Sequence, residues 1–140
     1  MDINEIKNLP DRVPTETLIS MFQNALNQFK NNEIKKDNFL LTLSQLTDRQ
    51  TMTYELLRSD IRNDIDRTLS RLWKTDSYDE VDTILSIVVN LGLEICFKKI
   101  KESLGHYNTI DKSTLDEIQE TINEVRENIA NPYYDLEKFK

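Results

Sequence analysis

One histidine, His106, and one cysteine, Cys96, are all this chain offers for acid–base work near neutral pH or for thiol chemistry. A general base needs a nucleophile or substrate within reach and a partner that orients it. His106 follows Gly105 in a stretch that reads as loop, and no neighbouring serine or cysteine stands out as its nucleophile. It reads as a solvated loop histidine. A reactive thiolate needs cationic, partly exposed surroundings. Cys96 lies between Ile95 and Phe97 in the most apolar part of the chain, and Lys98 and Lys99 need not share its face. It reads as a buried structural thiol. Two glycines, Gly92 and Gly105, are too few for a glycine-rich phosphate loop.

Carboxylates are plentiful, with Asp and Glu totalling 25. A helical di-iron centre pairs Glu-x-x-His motifs on facing helices. The single histidine has Ser103, not a glutamate, three residues before it, so that centre is excluded. Nothing points to a carboxylate-only metal or glycosidase site. The expectation is a protein without catalytic residues, cofactor or metal. Arg58, Arg62, Arg67 and Arg71 interleave with Asp60, Asp64 and Asp66. Nucleic acid calls for an uninterrupted basic stripe. Interleaved signs mark a solvated, salt-bridged helix, so no nucleic-acid partner is expected.

The charge pattern is more informative. Residues 1–75 are balanced, and the whole net charge of −7 falls on residues 76–140. At about 100° per residue, Asp116, Glu120, Glu124 and Glu127 fall on one narrow arc of a helix. Like charges at this spacing cost roughly 0.2–0.5 kcal/mol per pair. The arc lies opposite an apolar seam of Leu115, Ile118, Ile122, Val125 and Ile129. A tail follows, Tyr133-Tyr134-Asp135-Leu136-Glu137-Lys138-Phe139-Lys140, and tyrosines are frequent anchors in interfaces. The candidate partner-binding residues are therefore Asp116, Glu120, Glu124, Glu127, Tyr133, Tyr134, Asp135 and Glu137, and the matching partner is a basic protein.

These residues must be carried by helices. Apolar side chains recur at helical spacing in every long segment, and few glycines or prolines are present to make the turns of a β fold. The fold class expected is all-α, an antiparallel bundle of four or five helices in a single domain over 1–140. Residues 1–14, interrupted by Pro10 and Pro14, read as an irregular arm, and 131–140 as a tail. A helix from Thr15 buries Leu18, Ile19, Phe22, Ala25, Leu26 and Phe29 and ends near Asn31-Asn32. Asp37 suits the N-cap of the next, with Phe39, Leu40, Leu43 and Leu46 inward.

The pattern from Thr51 to Lys74, with Tyr54, Leu57, Ile61, Ile65, Leu69 and Leu72 inward, leaves open whether 37–74 is one helix or two. The capping-box pattern Thr47-Asp48-Arg49-Gln50 favours a break or kink near Thr47–Thr51. Ser77-x-x-Glu80 reads as a capping box for a central helix that buries Ile87, Val88 and Leu91 and runs to about Leu104, with Gly105 as its C-terminal stop. A final helix starts at Asp111 or Ser113 and ends at Asn131-Pro132.

The apolar stretch Val81–Phe97 contains Asp82, Asn90 and Glu94 and is too short and polar to span a bilayer, so no membrane role is expected. The N-terminus has no basic and apolar leader pattern, and the lone cysteine suits a reducing compartment. A cytoplasmic location is expected.

In general character, through the acidic stripe, the Tyr133-Tyr134-Asp135 tail and the missing catalytic residues, the chain resembles small acidic helical immunity proteins. That resemblance implies direct binding and neutralisation of a basic, nuclease-like toxin. The alternative is a structural or assembly module that self-associates through helix packing, which leaves room for a homodimer.

Overall fold

Helical periodicity in the sequence becomes helix in the structure. A computed structural model describes residues 3–126 and 128–133. Among the described residues there are seven α-helices and one 3-10 segment, with no strand, and none of the helices is long and apolar enough to cross a membrane. The chain is all-α. It divides into two compact units, residues 1–62 and 63–140.

In the first unit, α1 (Ile3–Lys7), α2 (Thr15–Lys30) and α3 (Lys36–Thr51) pack together. The segment expected as an irregular arm therefore contains a helix. Its anchor is Ile6, which is buried, while Pro10 and Pro14 keep it separate from α2. Arg49 of α3 holds the end of α1 in place. One Nη donates to the Lys7 and Leu9 carbonyls (3.3 and 2.9 Å), the other to the carbonyl and side chain of Gln45 (3.1 and 2.6 Å). A buried guanidinium thus satisfies carbonyls that a short helix leaves without partners.

Helix α2 buries Leu18, Phe22, Ala25 and Leu26 against α3, and the rings of Phe29 and Phe39 stack at 4.2 Å. The chain turns at Asn32, in the left-handed conformation that asparagine tolerates. Helix α3 starts two residues earlier than expected. Lys35 occupies the N-cap and Asp37 lies in the first turn, where its charge still meets the positive end of the helix dipole.

No break occurs at Thr47–Thr51. Thr47 and Gln50 are buried within α3, and the interruption falls at 52–58 instead, so 37–74 forms two helices. Gln50 braces that loop by donating to the Glu55 carbonyl at 2.9 Å, and the Thr53 hydroxyl accepts from the Glu55 N–H at 3.1 Å. These bonds compete with helix continuation. Tyr54, expected to point inward, adopts positive φ (54°) and is 63% exposed.

Helix α4 (Ser59–Leu72) begins in the first unit and ends in the second. Ile65 and Leu69 are buried, Leu72 is only half-buried, and Trp73 is buried with its Nε1–H donated to the Ser103 hydroxyl at 2.8 Å. Helix α5 (Tyr78–Leu91) is capped by Ser77, whose Oγ accepts from the Glu80 N–H at 3.5 Å. Val81, Ile84, Leu85, Ile87, Val88 and Leu91 form its buried face.

This central helix does not run to Leu104. It stops at Leu91, and Gly92 takes the left-handed conformation (φ 71°) that ends a helix. Helix α6 (Glu94–Glu102) follows, and then a 3-10 segment, Ser103–Thr109, that contains Gly105 and the exposed, non-helical His106. Two features cause the break. The Asp66 carboxylate accepts the N–H groups of Ile95 (3.0 Å) and Cys96 (2.7 Å), which gives α6 an N-terminus of its own. The backbone of 129–132 also lies so close to Gly92 that a Cβ there would meet the Ile129 carbonyl at 2.9 Å.

Helix α7 (Lys112–Val125) ends six residues before the expected Asn131-Pro132, because Arg126 at φ 54° turns the chain out of the helix. Ile129 therefore leaves the seam. Ile118 and Val125 of the seam are buried, and Leu115 and Ile122 half-buried.

Candidate functional site

Helices α5 and α7 pack side by side in the second unit and enclose a shallow groove of about 180 Å³. The periodicity of each helix decides which residues reach it. On α5, Val81, Ile84 and Val88 face the core, so Asp82, Ser86 and Asn90 come to the groove edge. On α7, Ile118 and Val125 face the core, so Glu117, Thr121 and Glu124 form the opposite edge. The groove is rimmed by carboxylates on both sides.

Two of them meet. Hydrogen bonding with Asp82, partial burial and the charge of Asp82 raise the Glu117 pKa above the ordinary carboxyl range. The Tyr78 hydroxyl donates to Glu117 Oε2 at 3.4 Å. The negative charge of Glu117 in turn raises the Tyr78 pKa, with smaller contributions from desolvation and from Asp82 and Glu120. The raised Glu117 pKa reflects the carboxylates gathered on this face.

Of the residues expected to bind a partner, Asp116, Glu120 and Glu124 stand exposed along one arc of α7, continuous with this groove. Tyr133 is half-buried, and its N–H donates to Asn131 Oδ1 at 3.3 Å. Glu127, Tyr134, Asp135 and Glu137 lie outside the described residues. The sequence pattern did not single out Asp82, Tyr78 or Glu117. Their pairing joins α5 to α7 across 35 residues, and no local spacing announces it.

Arg58 forks onto Asp60 (2.6 and 3.0 Å) in an exposed pair, as interleaved charges on a helix suggest. Burial pushes the Cys96 thiol up to about 12. A hydrogen bond with Ser70 opposes that shift and the Asp66 carboxylate adds to it, so the thiol stays protonated and inert. Among the described residues no group of three or more histidine, cysteine or carboxylate side chains is placed to hold a metal ion. Comparison of the chain with protein-family models, with curated proteins and with solved structures finds no match.

Proposed function

We propose that this protein is a non-enzymatic binding module, of the acidic immunity or antitoxin type, that captures a basic protein partner on the α5–α7 face of its second unit. The observation that carries the reading is the crowding of Asp82, Glu117 and Glu124 around one groove, beside exposed Asp116 and Glu120. Carboxylates held this close repel one another, and a cationic side chain from a partner relieves that repulsion. A lysine or arginine entering the groove favours the ionised form of Glu117, so binding strengthens as pH rises through the raised Glu117 pKa. Beyond the groove edge at Glu124, exposed Asp116 and Glu120 extend the long-range field that speeds encounter. Self-association through the α7 seam is the weaker reading, because Ile118 and Val125 are already buried.

The test starts from a partner recovered on the immobilised protein and identified. The reading expects that partner to be strongly basic. Surface plasmon resonance should show association slowing as salt rises, since surface charges are screened beyond about 8 Å at physiological ionic strength. Reversing Glu120 and Glu124 to Lys should weaken binding while the circular dichroism spectrum stays helical. An acidic partner, or affinity unchanged by the double reversal, refutes the reading.

A further inference from the structure

A second concave site lies in the first unit, with a different chemistry. Residues of α1, α2 and α3 border a cavity of about 360 Å³ that is half open to solvent. Its apolar lining comes from Ile6, Met21 and Ala25, and its polar edge from Ser20, Asn24 and Gln28. None of the residues lining it is charged, although 31% of the chain is Asp, Glu, Lys or Arg. The absence of charge extends along the helix: residues 17–29 of α2 carry no ionisable side chain. The far wall is fixed, because Arg49 clamps the Lys7 and Leu9 carbonyls and so holds Ile6 where it is. An apolar cavity with a few hydroxyl and amide groups on one edge, between elements already positioned, has the general form of a small-molecule site.

We infer that the cavity bounded by Ile6, Met21, Ala25 and the Ser20–Asn24–Gln28 edge binds a small uncharged molecule with an apolar body and a hydrogen-bonding group at one end. Charge selects against the alternatives. An ammonium or carboxylate seated against Ile6, Met21 and Ala25 loses part of its hydration and finds no counter-charge in the lining. A hydroxyl or amide group finds partners on Asn24 and Gln28, whose side chains both donate and accept. The site is separate from the acidic groove, and neither proposal depends on the other.

The chain supplies its own reporter. Met21 lines this cavity, whereas Met52 lines a different depression formed with Arg12, Val13 and Pro14. With 13C-methyl methionine, titration of 2-naphthylmethanol should shift the Met21 methyl resonance saturably and leave Met52 unmoved. The charged analogues 2-naphthoate and 2-naphthylmethylammonium should bind roughly tenfold more weakly or worse. Asn24→Asp, which adds charge at the edge without changing shape, should weaken the alcohol. Asn27→Asp, on the same helix but outside the lining, should not. Absence of saturable binding, equal shifts at both methionines, or equal affinity for the charged analogues overturns the proposal. An Asn24→Asp protein that keeps its helical spectrum and binds the alcohol as tightly as the parent overturns it too.

Discussion

The carboxylate of Asp66 on α4 accepts the backbone N–H of Cys96 at 2.7 Å, across 30 residues of sequence. A second oxygen takes the N–H of Ile95 at 3.0 Å. The pair of bonds replaces the local N-cap that Leu93 cannot provide. Asp66 is only 4% exposed and Cys96 is fully buried, so removing the carboxylate would leave the Cys96 N–H without a partner. Asp66→Ala should destabilise the protein by about 1–3 kcal/mol, the cost of unsatisfied buried groups. Asp66→Asn should recover only part of this, because its NH2 faces one of the two donors. Urea denaturation of the three proteins measures both effects.

Cys96 should behave as a core residue. Its thiol, raised to about 12 by burial, should react slowly with Ellman's reagent in the native state and rapidly in denaturant. Native labelling should accelerate in Asp66→Ala, because losing the α6 cap exposes the first turn in which Cys96 lies.

Gly92 should not tolerate a side chain. Its φ of 71° costs an alanine roughly 1 kcal/mol or more, and the new Cβ would press on the Ile129 carbonyl. Gly92→Ala should lower the melting temperature clearly. Gly105→Ala, where nothing lies within 4 Å of the added carbon, should leave it nearly unchanged. Differential scanning calorimetry separates the two.

The Asp82–Glu117 contact predicts an unusual pH dependence. The folded-state pKa of Glu117 is raised, so between its ordinary value of 4.5 and that raised value the folded state holds more protons than the unfolded chain. Stability from this group is therefore fully present below the ordinary value and is lost as pH rises through the folded one. Glu117→Gln should stabilise the protein near neutral pH, and the gain should vanish as the pH approaches the ordinary value. Melting curves across pH for the parent and the variant test the sign directly.

Much of the helical content was legible from the sequence alone, because it depends on local spacing. Leu18–Phe22–Ala25–Leu26 and Val81–Leu85–Val88 repeat at the helical period, and any chain with that pattern gains by burying one face. The exposed arc of Asp116, Glu120 and Glu124 was legible for the same reason. The interruptions were not, because distant residues decide them. Helix α5 ends at Gly92 and not near Leu104 because Asp66 caps the next helix and because residues 129–132 pack onto the glycine.

The helix at residues 3–7 depends likewise on Arg49, some 40 residues away, reaching its terminal carbonyls. The Asp82–Glu117 pair exists only once α5 and α7 lie side by side. Sequence periodicity sets which face of a helix is apolar. Where a helix stops, and which charges meet, depends on hydrogen-bond partners and close approaches that only the folded chain brings within reach.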